Sequence, residues 1–233
     1  MRGECFAAIV FRGPNGPSEY LAAKHSQSFT AYWMHVPGLL VVAPATPADA
    51  YCLLKSAIRN DNPVVALEAE LMYSWKGEVP DQEFLVPIGK ARVAREGSDL
   101  TLISFSKPVR VAEQAAEKLA EKGIAAEVID LRSLRPLDEE TLIASVRKTH
   151  RAVVIDEAWP MASVGATVSH LVMSRCFDVT GDYHETSCAG IYAIGDISTY
   201  PQLAHAASKA GEIAAERIAH LLKGGPYLNF EAY

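Results

Sequence analysis

His25 is the residue whose type and position could most readily do chemistry here. It stands in His25-Ser26-Gln27, shortly after an apolar run through Ile9, Val10 and Phe11 that closes on Arg12-Gly13-Pro14-Asn15-Gly16. Such a run, ended by Gly, Pro and Asn, reads as a buried strand entering a turn. His25 then falls just past the carboxyl end of a strand, where open α/β sheets place their ligands. An imidazole there can carry protons or orient a substrate, or it can be a partly buried histidine with no chemical duty. Two other groupings have a similar alternative. Asp156-Glu157 ends a later strand while Arg132 and Arg135 follow another, so opposite charges could meet across a sheet's mouth or form a plain ion pair. Near the carboxyl end, an apolar strand closes on Gly195-Asp196 ahead of a helix start, an arrangement able to hold a polar ligand.

The elements that must position these residues alternate along the chain. Leu39 to Val42 reads as a second buried strand. Thr46 caps a helix with Pro47 at its first position and Ala50, Leu53, Leu54, Ala57 and Ile58 on its apolar face. Asn60-Asp61-Asn62-Pro63 stops that helix, and Val64 to Leu67 is the next strand. Residues 69–88 lose the pattern and read as a linker. Beyond it come strands at 100–105, 124–131 and 152–155. They alternate with a helix ending at Gly123 and another that Asp138 caps and Arg147, Lys148 and His150 close. That order predicts a parallel sheet with right-handed crossovers.

The chain has 233 residues, 49% of them hydrophobic, and a net charge of −6 with no basic cluster, which argues against a nucleic-acid or anionic membrane partner. No apolar run is long enough for a membrane span, and no secretory signal is visible. Cys5, Cys52, Cys176 and Cys188 lack paired metal spacing, so reduced thiols in an intracellular protein are expected.

The segments IVFRGPNG, HSQSF, VPGLLVVAP and KSAIRNDNPVVALE together resemble the beta subunit of the thiamine-dependent pyruvate dehydrogenase component, from about Met1 to about Phe177. The resemblance implies an α/β fold: the end of a thiamine pyrimidine-binding domain over 1–75, a linker over 76–90, and a transketolase C-terminal-like parallel sheet domain over 91–180. VIDLRSLRPLD is the most similar part of that second domain. The implied activity is oxidative decarboxylation of pyruvate with acetyl transfer to lipoamide. HSQSFTAYW and VVALEAELMYSW lean toward pyruvate over branched-chain 2-oxo acids.

Thiamine diphosphate (thiamine pyrophosphate) would be shared with an alpha subunit that binds its diphosphate through magnesium, with His25 near the cofactor and assisting acyl transfer. A potassium ion would be wrapped mainly by main-chain oxygens of Ile9, Ala57, Ile58, Asn60 and Asn62, with Asn60 standing where the family more often has Asp. Partners would be the alpha subunit in an alpha2-beta2 assembly, the dihydrolipoamide acetyltransferase, and a second copy through the transketolase C-terminal-like domain. The setting would be a bacterial cytoplasm or the mitochondrial matrix. In these beta subunits the glutamate that activates the cofactor lies upstream of everything present here, so a chain inactive alone, with exposed sheet edges, is expected. Ser18-Glu19-Tyr20 and Lys24 also replace smaller or neutral residues usual around that loop.

Residues 182–232, with GIYAIGD and QLAHAAS, instead resemble dihydrolipoamide dehydrogenase. That resemblance would set Asp196 on the flavin ribityl chain and Gln202, Leu203, Ala204 and His205 along the isoalloxazine. No GxGxxG opens a strand-turn-helix to cradle a pyrophosphate, and no redox cysteine pair is present, so FAD is not expected; a strand and helix appended to the second domain are. Two readings stand beside the enzyme subunit: a non-catalytic dimerisation or assembly module, including a chimeric fragment, and an FAD-binding redox fragment.

Overall fold

The computed structural model describes residues 7–18, 22–81, 84–176 and 213. The chain divides into residues 1–169 and residues 170–233, and the architecture below is that of the first unit. Two four-stranded sheets build it. The first contains β1 (Val10–Pro14), β2 (Leu40–Val42), β3 (Val64–Glu68) and β7 (Ser133–Arg135), in the order β1-β3-β2-β7. β1 and β2 both run parallel to β3, with Val10 opposite Val64 and Val41 opposite Val65.

Between β1 and β2 lie two short helices, α1 (Ala22–His25) and α2 (Thr30–His35). Between β2 and β3 runs α3 (Pro47–Ile58), the crossover helix that parallel strands require. Its start follows from Thr46, whose hydroxyl accepts from the Asp49 N–H at 3.0 Å, and from Pro47, which lacks the N–H a helix start leaves unpaired. Cys52, Leu53 and Ala57 turn inward against Val42, Val64, Ala66 and Val86. Ile58, expected on the same face, is 63% exposed, and Cys52 takes the inward place beside Leu53. Val86 joins this core, and its carbonyl accepts from the Ser56 hydroxyl at 2.6 Å, so part of the expected linker packs on the first sheet.

The second sheet has the order β4-β6-β5-β8, from β4 (Arg92–Arg95), β5 (Leu100–Ser104), β6 (Ala126–Asp130) and β8 (Ala152–Val154). β5 runs parallel to both β6 and β8, as the alternating pattern predicts. The connecting helices are α4 (Pro108–Ala120), with Gly123 at φ +76° beyond its end, and α5 (Glu139–Thr149), capped by the Asp138 carboxylate on the Thr141 N–H at 3.3 Å. Val109, Ala112 and Ala116 of α4 pack on Leu102, Ala126 and Val128. A last helix, α6, spans Val164–Cys176.

Two strands depart from the expected all-parallel arrangement. β4 adds antiparallel to β6, and β7 leaves the second half to pair antiparallel with β2 of the first. The turn into β7 is made by Arg132, at φ +53°, a conformation costly for a residue with a side chain. The surroundings hold it there. The Arg132 guanidinium donates to Asp49 at 3.2 Å and to the Ala91 carbonyl at 3.0 Å, while the Arg132 carbonyl accepts from the Ala43 N–H at 2.7 Å. The first strand, expected to be buried, is an edge strand among the described residues: Phe11 of β1 is 53% exposed, and Ile9 just ahead of it 50%.

Candidate functional site

Because β1, β3 and β2 are parallel, their carboxyl ends open on one side, and the chain leaving β1 enters the segment that carries His25. The Asn15 N–H donates to the Glu68 carbonyl at 2.7 Å, tying the turn after β1 to the end of β3. Gly16, at φ +87°, donates its N–H to the Gln27 carbonyl at 2.9 Å. The Asn15 side chain completes the attachment: its Oδ1 accepts from the Phe29 N–H at 2.6 Å and its Nδ2 donates to Ser28 Oγ at 3.5 Å. Ser28 Oγ is in turn 3.0 Å from Thr30 Oγ1. His25, at the end of α1, is exposed two residues before the pinned Gln27. An exposed imidazole next to an anchored backbone segment can exchange protons with a docking molecule.

At the carboxyl ends of β1 and β3 lies a crevice of about 260 Å³ lined by Arg12, Pro47, Glu68, Met72, Tyr73 and Trp75, among others. Arg12 Nε donates to Glu68 Oε1 at 2.6 Å, and this bond holds the guanidinium above its ordinary value. Burial and the neighbouring Glu68 push the Tyr73 hydroxyl upward. Ser18 Oγ donates to Glu70 Oε2 at 2.7 Å. Sequence reasoning did not single out Arg12, Glu68 or Tyr73 as one group. The available signal was that Arg12 and Glu68 both fall at the ends of short apolar runs that would pair in parallel.

Asp156 and Glu157 do not meet Arg132 and Arg135 across the sheet's mouth; the plain ion-pair alternative holds for Glu157 and Arg132, each with another partner. Asp156 binds the N–H groups of Ala158 and Gly165, each at 2.9 Å, and so anchors its own loop to the start of α6. Glu157 pairs with Lys107 at 2.8 Å. Arg132 goes to Asp49, and Arg135 donates to the Met34 carbonyl. Arg132, Arg135 and Glu157 find partners far away in the chain, which spacing along the sequence could not reveal.

The residues named for potassium lie where α3 ends and β1 and β3 begin. The Ile9 carbonyl accepts from the Val64 N–H at 2.9 Å and the Ala57 carbonyl from the Asn60 N–H at 3.1 Å, while Asn60 Oδ1 takes the Asn62 N–H at 2.9 Å and Asn62 Nδ2 at 3.0 Å. Among the described residues no group of three or more His, Cys, Asp or Glu side chains is arranged around a common metal position. Asp196, Gln202, Leu203, Ala204 and His205, named for a flavin, lie outside the described residues, as does the appended strand of that segment.

The family model for the transketolase C-terminal domain matches residues 89–207, just over half of the chain. The chain belongs to the transketolase C-terminal domain family. The model for the transketolase pyrimidine-binding domain matches residues 2–75 of this transketolase-family chain, ahead of the first match. The C-terminal match runs on past residue 180, the expected end of that domain, to residue 207.

Among curated proteins, this chain is 52% identical over 180 residues to the mitochondrial pyruvate dehydrogenase E1 component subunit beta of Dictyostelium discoideum, covering 76% of this chain and 51% of the relative. It is 50% identical over 187 residues to the Drosophila melanogaster protein of the same name, covering 78% and 51%, and 49% identical over 177 residues to the pyruvate dehydrogenase E1 component subunit beta of Rhizobium meliloti, covering 76% and 38%. The chain therefore spans about half, or less, of the length of the curated relatives it matches. A solved structure described as a split gene transketolase, inactive beta4 tetramer, matches with a TM-score of 0.63 at 26% identity, covering 72% of this chain and 54% of that one. No helix among the described residues is long and apolar enough to cross a membrane.

Proposed function

We propose that this chain supplies the beta-subunit side of a thiamine-dependent pyruvate dehydrogenase, which decarboxylates pyruvate oxidatively and passes the acetyl group to lipoamide. Its relatives at about half identity carry that name. The observation that carries the reading to particular residues is His25, exposed past the carboxyl end of β1 on a segment fixed by Asn15 and Gly16. In this reading His25 is the proton-carrying group that meets the acyl acceptor.

In this reading the residues present would meet one edge of thiamine diphosphate and not the whole. His25 can face the cofactor, but Glu68 and Glu70, the carboxylates at this mouth, are engaged by Arg12 and Ser18. The reading therefore assigns magnesium and the diphosphate to an alpha subunit. A potassium ion at Ile9, Ala57, Ile58, Asn60 and Asn62 belongs to the same proposal, supported by the gathering of these residues at one corner of the first sheet. So do the alpha subunit and the dihydrolipoamide acetyltransferase as partners, self-association through the second domain, and a setting in the mitochondrial matrix or a bacterial cytoplasm.

The test is pyruvate-dependent reduction of an artificial electron acceptor by the chain mixed with an alpha subunit, thiamine diphosphate and magnesium, against the alpha subunit alone. Reduction that requires this chain supports the enzyme reading. A chain that joins the complex without any turnover leaves a non-catalytic assembly module.

A further inference from the structure

Lys107, at the start of α4, and Glu157, just after β8, meet at the mouth of the second sheet with Nζ and Oε2 2.8 Å apart. Both are largely buried, with about a fifth of each side chain exposed, 20% and 23%. Neither reaches the His25 segment directly, but together they close on the turn that holds it. Lys107 Nζ also lies 3.5 Å from the Pro17 carbonyl, at donating distance. Glu157 Oε1 occupies the space where Gly16 lacks a side chain: a Cβ on Gly16 would stand 2.8 Å from it. Gly16 donates in turn to the Gln27 carbonyl at 2.9 Å. A continuous set of contacts thus runs from the second sheet through Glu157, Lys107, Pro17 and Gly16 to Gln27, two residues from His25.

We propose that Lys107 and Glu157 are positioning residues, a charged clamp by which the second domain fixes the Gly16-Pro17 turn and with it the His25-Ser26-Gln27 segment. The catalytic consequence rests on the reading of His25 given above; the mechanical one does not. Lys107 supplies a donor to a carbonyl that has no strand partner, and Glu157 both neutralises Lys107 and fills the notch that glycine leaves. A charge-assisted bond of this kind, partly shielded from solvent, is stronger than a surface ion pair. Its loss frees the turn locally, because the turn's remaining attachments are single hydrogen bonds.

Amide hydrogen exchange of the full chain tests the clamp without reference to turnover. In Lys107→Met, peptides spanning 15–29 exchange about fivefold or more faster, while peptides spanning 126–135 in the second sheet keep wild-type rates. Lys107→Arg restores slow exchange, and Glu157→Gln reproduces a weaker form of the loss, so a poorly folding Lys107→Met does not remove the comparison. With an alpha subunit present, the same variants lower kcat in step with the exchange at 15–29 and leave KM for pyruvate within about twofold of wild type. Unchanged exchange at 15–29 in Lys107→Met overturns the proposal, and so does a rise shared equally by 126–135, which would make the pair a general stabiliser. If the wild-type chain shows no turnover, the proposed function fails while the exchange result still decides the clamp.

Discussion

Arg132 and Asp49 join the two halves of the structure: Arg132 Nη1 lies 3.2 Å from Asp49 Oδ1, with 12% and 5% of the two side chains exposed. Asp49 sits in the first turn of α3 and Arg132 in the bend between β6 and β7, so the bond holds the strand that crosses into the first sheet. Removing one member leaves a buried charge without its partner. Arg132→Met is expected to cost about 3–5 kcal/mol of stability. Urea unfolding checks this; a loss below about 0.5 kcal/mol would show that the pair carries little.

Asp130, at the end of β6, is fully buried against Arg92, with Oδ2 and Nη2 3.0 Å apart. Burial pushes its carboxyl up from 3.8 to about 7, against the attraction of Arg92 and Arg132. The folded state therefore holds this proton more tightly than the unfolded chain. The group's contribution to stability is full below 3.8, is lost as pH rises to about 7, and is flat above that, a span on the order of 4 kcal/mol. Asp130→Asn removes that dependence, so the wild-type minus variant difference measured by urea unfolding should fall between pH 4 and 7. A flat difference would contradict it.

Asp138 has the opposite sign. Burial works against its charge, but bonds from the Ala91 N–H at 3.0 Å and from Thr141 outweigh it and hold the carboxyl below its ordinary value. Its contribution is present above the unfolded value of 3.8 and is lost as pH falls through the lower folded one. Asp138→Ala should cost about 0.5–2 kcal/mol near neutral pH through the lost cap of α5. The cost should shrink in acid, which thermal melts at two pH values would show.

Gly16 combines φ +87° with a Cβ position 2.8 Å from Glu157 Oε1. Gly16→Ala is expected to destabilise the chain by about 1–2 kcal/mol, since both the backbone conformation and the space oppose a side chain. Calorimetric Tm values check this, and the cost should be smaller in a Glu157→Ala background, where one of the two obstacles is gone.

What the sequence shows well is local. The Thr46 and Pro47 start of α3, the Asp138 cap of α5, Gly123 beyond α4, and the strands β2, β3, β5, β6 and β8 each follow from a few adjacent residues. The turn after β1 is legible only in part: the apolar run forms a strand, but Gly13 and Pro14 lie inside β1 and the turn starts at Asn15-Gly16. Hidden from the sequence were β4, β7 and the partners of Arg132, Arg135, Glu157 and Lys107. Each depends on contacts between residues far apart, such as Arg132 with Asp49, and local spacing carries no information about them. Ile58 shows the same limit on a smaller scale: helical periodicity allowed it inside, and the position of the sheet left it out.

The most direct measurement is reductive acetylation of lipoamide from pyruvate, with an alpha subunit, thiamine diphosphate and magnesium, comparing the wild-type chain with His25→Ala. The account predicts wild-type turnover and a loss of about a hundredfold or more in the variant, with circular dichroism unchanged. Turnover that survives intact in His25→Ala would contradict the role given to His25, and a wild-type chain that binds the alpha subunit without any turnover would contradict the proposed function itself.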